Sequence, residues 1–131
     1  MAKSVLAVID MQNDFIDGAL GTKEAQAIVG KVATYIEHSL ASGEEVVYTR
    51  DTHFDNYLDT QEGKNLPVVH CIKGTKGWEI RDELKALQND GTRVFDKLTF
   101  GSVELAEYLK TIEGLWRVTL IGLCTDICVI S

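Results

Sequence analysis

The sequence predicts an α/β fold in which helices cover both faces of a parallel sheet, and three observations lead to that class. Four short runs rich in valine and isoleucine recur along the chain without alternating with polar residues, as expected for strands buried on both faces. Segments with apolar residues three and four positions apart lie between these runs, which is typical of amphipathic helices. Strands and helices therefore alternate, and the length of 131 residues predicts one domain over residues 1–131.

Each element has a local signal. The predicted strands cover residues 5–9, 46–49, 93–95 and 118–123, and the predicted helices cover 23–42, 78–88 and 103–112. Thr22 is a suitable N-cap for the first helix, and Gly43 is a suitable residue to end it. The segment 52–76 fits neither period, so we predict a long functional loop there.

Composition excludes several classes of function. The formal net charge is −7, which opposes binding to nucleic acid or to an anionic membrane. No apolar run approaches the ~20 residues of a membrane span, and the apolar run near the N-terminus is too short for a signal peptide. We therefore expect a cytoplasmic protein. Its three cysteines are not expected to form a disulfide framework.

Chemically capable residues follow all four predicted strands, and the carboxyl ends of parallel strands are where ligands bind. Asp10 follows the first strand and could act as a general base, or it could cap the next turn. Lys97 follows the third strand and could stabilise a thiolate or a carbonyl oxygen, or it could be a solvated surface lysine. The second strand is followed by Asp51 and His53.

The motif GLCTDIC follows the fourth strand, and Cys128 stands where a helix is predicted to begin. Unpaired N–H groups at a helix start would stabilise a thiolate and an oxyanion, so Cys128 could be a nucleophile. It could instead be a small buried apolar residue, which is the usual role of a cysteine. Cys124 fits the buried reading better, because it lies in the turn before the helix start.

Oxygen and imidazole groups in the second and third quarters of the chain form a candidate metal site. Asp51 and His53 are two residues apart on an extended chain, which points both side chains the same way. His70 and Glu62, in the long loop, could complete a site for zinc, iron or manganese. We expect no organic cofactor, because the residues after the first strand lack the G-x-G-x-x-G pattern of dinucleotide-binding domains.

Together, in this order, the motifs resemble those of the isochorismatase-like cysteine hydrolases, and within them the nicotinamidases. The matching pieces are IDMQNDFI, TRDTH, HCIKGTKGWEI, DKLTFG and GLCTDICV, which span nearly the whole chain. The resemblance implies a cysteine amidohydrolase that cleaves a small-molecule amide, such as nicotinamide, through a thioester. It also implies a homo-oligomer.

The resemblance assigns roles to individual residues. It implies Cys128 as nucleophile, Asp10 as base and Lys97 as the charged partner of the base. An oxyanion hole would come from the backbone N–H groups of Cys124 and Cys128, with a cis peptide bond between Leu123 and Cys124. The resemblance also implies Phe15 in the substrate pocket and a divalent metal on Asp51, His53, His70 and Glu62, with Asp59 as an alternative to Glu62.

The sequence departs from the nicotinamidase pattern in two places. Nicotinamidases usually carry a tryptophan shortly before the loop histidine, where this chain has residues 66–69 (LPVV), and Trp78 lies further on. The family also continues beyond the nucleophile with a helix and two strands, so we expect the 131-residue sequence to be C-terminally incomplete. Alternatives are a hydrolase acting on an N-carbamoyl or ureidoacrylate compound, and a non-catalytic fragment or assembly subunit.

Overall fold

The computed structural model describes residues 3–97 and 103–123 with their side chains and residues 126–130 by their backbone. Five strands form one sheet in the order β3-β2-β1-β4-β5. The strands are β1 (Lys3–Ile9), β2 (Glu45–Asp51), β3 (Val94–Lys97), β4 (Leu115–Gly122) and β5 (Asp126–Ile130). The first four are parallel, as predicted, and β5 runs antiparallel to β4.

Helices cover both faces of the sheet, which confirms the predicted class. They are α1 (Asn13–Ile16), α2 (Lys23–Ala41), α3 (Gln61–Asn65), α4 (Asp82–Lys85) and α5 (Val103–Lys110). Leu6 and Val8 of β1 pack in a core that includes residues of α2 and α4. Val5 and Ala7 point to the other face and pack with Leu105 of α5. The central strand is therefore apolar on both faces because each face carries its own core.

The ends of α2 follow their sequence signals. The hydroxyl of Thr22 accepts a hydrogen bond from the backbone N–H of Ala25 at 2.9 Å, so Thr22 is the N-cap. Gly43 follows the helix with φ of +83°, a left-handed conformation that costs glycine little. Among the described residues, no helix is long and apolar enough to cross a membrane.

Two predicted segments differ from the structure. The helix predicted over 78–88 is reduced to α4, because the backbone before it pairs with the segment after β1. Arg81 N–H donates to the carbonyl of Met11, and Asn13 N–H donates to that of Glu79. The loop 52–76 is also not structureless, since it contains a 3₁₀ helix (Tyr57–Asp59) and α3.

The helix predicted to begin at Cys128 is wrong for this structure, in which residues 126–130 form β5. Residues 127, 129 and 130 are β-branched, which favours a strand. Pairing with β4 also supplies hydrogen bonds along the edge of that strand opposite β1, which no other strand covers among the described residues.

Candidate active site and metal centre

The carboxyl ends of three adjacent strands bring the predicted polar residues to one edge of the sheet. Asp51 ends β2 and pairs in register with Lys97, the last residue of β3. Asp10 follows Ile9, whose partner on β2 is Thr49. The parallel order of β3, β2 and β1 therefore places these side chains beside one another.

Asp10 and Lys97 form an ion pair at this edge. Nζ of Lys97 lies 2.7 Å from Oδ2 of Asp10, and their side chains are 12% and 20% exposed. The hydroxyl of Thr49 donates to Oδ1 of Asp10 at 2.7 Å, so both carboxylate oxygens have a partner. Asp10 also has a positive φ of +53°, uncommon for a residue with a side chain. The carboxylate is thus held in one orientation by groups on two other strands.

Four residues beside this pair form a group that could hold a metal ion. Their ligand atoms all lie within 4.8 Å of one another, and the residues are Asp51, His53, Glu62 and His70. Nε2 of His53 lies 3.1 Å from an oxygen of Asp51 and 3.0 Å from one of Glu62. Two carboxylates and two imidazoles suit zinc, iron or manganese, and the two negative charges match a divalent ion. We call these residues the metal quartet.

The orientation of His70 suits a ligand. Its Nδ1 lies 2.7 Å from the carbonyl oxygen of Val68, which fixes the proton on Nδ1 and leaves the lone pair on Nε2. That Nε2 faces Oδ2 of Asp51 at 3.5 Å. A histidine held by a carbonyl through its other nitrogen is the usual arrangement at metal sites.

Burial and neighbouring charges shift the pKa values of two members of the quartet, Asp51 and His70. Burial alone would raise the pKa of Asp51, but hydrogen bonds and charge from His70 and His53, together with Lys97, bring it below its ordinary value. Burial would lower the pKa of His70, but the bonds to Asp51 and Val68 and the nearby carboxylates raise it above its ordinary value. These opposing shifts are those of an acid and a base held close together.

Aromatic rings surround the two histidines. The ring of Tyr57 lies 4.6 Å from that of His53 and 5.1 Å from that of His70, centroid to centroid. The Tyr57 hydroxyl donates to the carbonyl of Leu66 at 2.8 Å. Phe15 on α1 lies 5.5 Å from the ring of His70, so the residue predicted in the substrate pocket adjoins the metal quartet.

The backbone of Cys128 lies away from Asp10 and Lys97 in this structure. Cys128 pairs with Thr119 on β4, and Thr119 pairs with Leu6 on β1, four residues before Asp10. That offset is about 13 Å along the sheet at ~3.3 Å per residue. Cys124 and the predicted cis bond that precedes it lie outside the described residues. The structure thus brings together the predicted base, its lysine and the metal quartet, but not the predicted nucleophile.

Three residues that the sequence analysis left without a role lie at this site. Tyr57 is one of them, with the ring contacts given above. Gln12 and Asp14 are the others, and both contact the backbone at or beside a member of the quartet. They belong to the motif IDMQNDFI, and polar residues three and five positions after the end of a buried strand were the available signal. Trp78 instead lies with its ring 4.0 Å from the guanidinium of Arg50.

Comparison with known proteins agrees with this arrangement. The family model described as the isochorismatase domain matches residues 4–131. A nicotinamidase/pyrazinamidase of Mycobacterium tuberculosis is 25% identical, over 95% of this chain and 73% of its own length. An Arabidopsis thaliana protein described as a probable inactive nicotinamidase is 29% identical, over 96% of this chain and 68% of its own length.

Solved structures are similar in both fold and sequence. A pyrazinamidase of Pyrococcus horikoshii in complex with zinc matches with a TM-score of 0.76 and 31% identity, covering 92% of this chain and 70% of that one. An N-carbamoylsarcosine amidase of Thermoplasma acidophilum matches with a TM-score of 0.75 and 34% identity, covering 92% and 67%. With its family model spanning nearly every residue, the chain belongs to the isochorismatase family of hydrolases.

Proposed function

We propose that this chain carries the site of a cysteine amidohydrolase that releases ammonia from a small amide, with nicotinamide as the first substrate to test. The observation that carries the proposal is the ion pair of Asp10 and Lys97 beside the metal quartet. A carboxylate held by a lysine can take a proton and return it. The nicotinamidase and pyrazinamidase relatives support an amide as the substrate.

In the proposed reaction Cys128 is the nucleophile. Asp10 takes the thiol proton, and the sulfur attacks the amide carbonyl while the backbone N–H groups of Cys124 and Cys128 hold the oxyanion. Asp10 gives its proton to the departing nitrogen, so the C–N bond breaks, ammonia leaves and a thioester remains. Asp10 then takes a proton from water, whose oxygen displaces the sulfur from the carbonyl, and Asp10 passes that proton to the departing thiolate. The products are the acid and the free thiol.

Lys97 has an electrostatic role in this scheme. Its ammonium lies against Oδ2 of Asp10 and keeps that carboxylate oriented while its charge changes. Thr49 holds the other oxygen, so proton transfer needs no rearrangement of the base.

The role of Cys128 requires a chain path different from β5. Residues 124–128 would have to turn back over the carboxyl end of β4, towards Asp10. In β5 the backbone of Cys128 instead lies opposite Thr119. The antiparallel pairing of β5 and the catalytic arrangement are therefore alternative paths for the same residues.

The metal quartet would hold a divalent ion through Asp51, His53, Glu62 and His70. When bound, the ion would act as a Lewis acid that orients a ring nitrogen of the substrate or a water molecule beside it. Phe15 would line the pocket next to His70. Residues 66–69, where the sequence lacks tryptophan, would form a different wall from that of nicotinamidases.

A second substrate class has its own support. The N-carbamoylsarcosine amidase is 34% identical to this chain, which favours testing N-carbamoyl amides beside nicotinamide. The relative described as inactive supports a third possibility, a non-catalytic protein of the same fold.

Ammonia release from a panel of small amides tests the proposal. We expect release from at least one member, its loss in Cys128→Ala, and a decrease on chelation if the metal orients the substrate. Iodoacetamide followed by peptide mass mapping provides an internal control. Cys128 should be labelled, whereas Cys71 should not, because it is fully buried and burial raises the pKa of its thiol. Undiminished release by Cys128→Ala would refute the mechanism.

A further inference from the structure

Two polar side chains from the segment after β1 contact the backbone of Asp51, a member of the metal quartet, and of Cys71, the residue after the member His70. We propose that Gln12 and Asp14 are positioning residues that fix Asp51 and His70 in the geometry that binds the metal. The inference rests on the proposed binding of a divalent metal by the quartet. Neither Gln12 nor Asp14 belongs to the quartet, and each acts through a backbone group.

The side-chain amide of Gln12 forms three hydrogen bonds to backbone groups, two of them on the proposed metal ligand Asp51. Its Oε1 accepts from the N–H of Asp51 at 2.8 Å, and its Nε2 donates to the carbonyl of Asp51 at 2.9 Å. The second Nε2 proton goes to the carbonyl of Trp78 at 2.7 Å. One N–H and two carbonyls permit only this orientation of the amide. Gln12 is fully buried, so water cannot replace these bonds.

This contact extends the sheet past the end of β1. Backbone pairing between β1 and β2 ends at Ile9 and Thr49, two residues before Asp51. The amide of Gln12 then pairs with both backbone groups of Asp51, as a neighbouring strand would. Both backbone groups of Asp51 therefore have hydrogen-bond partners, as inside the sheet, although it lies at the edge where ligands bind.

Asp14 holds the residue that follows the ligand His70. Its Oδ2 accepts from the N–H of Cys71 at 2.7 Å, and its Oδ1 accepts from that of Ala19 at 3.3 Å. Cys71 has φ of +49°, a left-handed conformation that a residue with a side chain adopts only when its surroundings enforce it. The hydrogen bond to Asp14 helps to hold Cys71 in this conformation. It therefore also orients the backbone at the preceding residue, His70.

Two glycines make room for the Asp14 carboxylate. A Cβ atom at Gly77 would lie 2.2 Å from Oδ1 of Asp14, and one at Gly18 would lie 2.3 Å from the same atom. These separations are too short for any real contact, so an alanine at either position would displace the carboxylate. The absence of a side chain at Gly18 and Gly77 thus leaves the space that the Asp14 carboxylate occupies.

The functional consequence follows from the geometry of metal binding. A metal site requires its ligand atoms within a few tenths of an ångström of their positions. Outer groups that orient ligands typically contribute 10-fold to 100-fold in metal affinity. Gln12 and Asp14 lie two and four residues after Asp10, so one short segment carries the proposed base and the two residues that position the ligands Asp51 and His70.

Binding of Co²⁺ alone to the 131-residue chain tests the inference without reference to activity. We expect Gln12→Met and Asp14→Ala each to weaken Co²⁺ binding by about 10-fold to 100-fold. The visible absorption bands of the bound Co²⁺ should also change, since they report ligand geometry. Asp14→Asn keeps an oxygen that can accept from Cys71, so it should restore most of the affinity and the wild-type spectrum.

Asn13 provides the matched control in the same segment. It is buried, and its amide donates to the carbonyl of Lys76 at 2.9 Å and accepts from Arg81 at 3.1 Å, with no contact to the quartet. Asn13→Leu should lower the thermal stability of the metal-free protein as Gln12→Met does. Its Co²⁺ affinity and spectrum should remain those of the wild type.

A second variant reaches Asp14 without changing it. Gly77→Ala should displace the carboxylate and weaken Co²⁺ binding about as much as Asp14→Ala. The two changes combined should weaken it little more than either alone, because they remove the same contact. This comparison of the two single variants with the double variant does not use Gln12→Met. It therefore still tests the role of Asp14 if Gln12→Met fails to fold.

The outcomes separate the two proposals. If the wild type binds Co²⁺ and the Gln12 and Asp14 variants bind it equally well, the positioning role is refuted and the metal site stands. If Asn13→Leu weakens binding as much as Gln12→Met, the effect is general destabilisation and the positioning role is again refuted. A wild-type chain that binds no Co²⁺ overturns both proposals.

Discussion

The ammonium of Lys97 lies 2.7 Å from the carboxylate of Asp10, although β2 stands between the strands that carry them. The side chain of Lys97 therefore reaches across the carboxyl end of β2, next to Asp51, its partner in the sheet register. One lysine thus adjoins both the proposed base and a proposed metal ligand, and its charge contributes to the lowered pKa of Asp51.

Removing either member of this ion pair should slow amide hydrolysis. We expect Asp10→Asn to lower kcat/KM by about 10²-fold to 10⁴-fold, because proton transfer would lack its base. Lys97→Met should also lower it, because the carboxylate loses the partner that orients it. Ammonia release measures both effects.

Asp96→Asn is the matched control for this experiment. Asp96 precedes Lys97 on β3 and forms an ion pair with Arg50 on β2, in which Nε of Arg50 lies 2.6 Å from Oδ1 of Asp96. Successive residues of a strand point to opposite faces, so this pair lies on the other face from Lys97. The variant should keep wild-type activity. A similar decrease in Asp96→Asn would attribute the effect to the sheet rather than to the base.

Glu62 and Asp59 should differ sharply in their effect on metal binding. Glu62 lies 3.0 Å from His53 within the metal quartet, whereas Asp59 is exposed and outside it. Glu62→Gln should weaken Zn²⁺ binding by about 10-fold or more, as loss of a charged ligand exceeds the effect of most outer groups. Asp59→Asn should leave it unchanged. Calorimetric titration of the chelator-treated protein distinguishes them, and equal affinities would remove Glu62 from the site.

The pH dependence of stability should reverse sign when metal binds. In the metal-free protein the pKa of His70 is raised above its ordinary value, so the folded state binds its proton more tightly than the unfolded state. The contribution of His70 to the free energy of unfolding is complete below its unfolded pKa of about 6.5. It is lost as pH rises through the folded pKa. Metal binding needs the neutral imidazole, so the metal-bound protein should instead lose stability as pH falls.

Thermal unfolding between about pH 6 and pH 8, with Zn²⁺ and with chelator, measures this reversal. His70→Gln should abolish the His70 contribution to both slopes. Parallel slopes with and without Zn²⁺ in the wild type would contradict a metal ligand at His70.

Tyr48 should contribute to instability in alkali. It is buried in β2, its hydroxyl donates to the carbonyl of Leu84 at 3.2 Å, and burial raises its pKa to about 12. In the unfolded chain the Tyr48 hydroxyl ionises near pH 10, whereas in the folded protein it stays protonated to a higher pH. The free energy of unfolding therefore falls as pH rises from about 10 to 12. Across this pH range the free energy of unfolding decreases by at most about 3 kcal/mol, at ~1.4 kcal/mol for each pH unit.

Tyr48→Phe tests this contribution by urea unfolding at neutral and alkaline pH. The variant should be less stable by about 1 kcal/mol at neutral pH, because it loses one hydrogen bond. Near pH 11 the two proteins should have about equal stability, because phenylalanine does not ionise. A constant difference across this range would show that Tyr48 ionises equally in both states.

The sequence by itself determined the four parallel strands, the long helix and the polar residues at the strand ends. Unbroken apolar runs identify β1 and β2 because both faces of a central strand are buried, and the cap Thr22 marks the start of α2 because capping is local. Asp10, Asp51 and Lys97 could be placed at one edge before any coordinates, since parallel strands end on the same side.

Only the tertiary structure decided between residues that the sequence leaves equivalent. Glu62 rather than Asp59 joins the metal quartet because α3 directs it there, and α4 is short because Arg81 and the residues before it pair with the segment after β1. The positions of Gln12 and Asp14 relative to the quartet depend on contacts 39 and 57 residues apart in the chain. Residues 126–130 form β5 by pairing with β4, and no local pattern in those five residues specifies that partner.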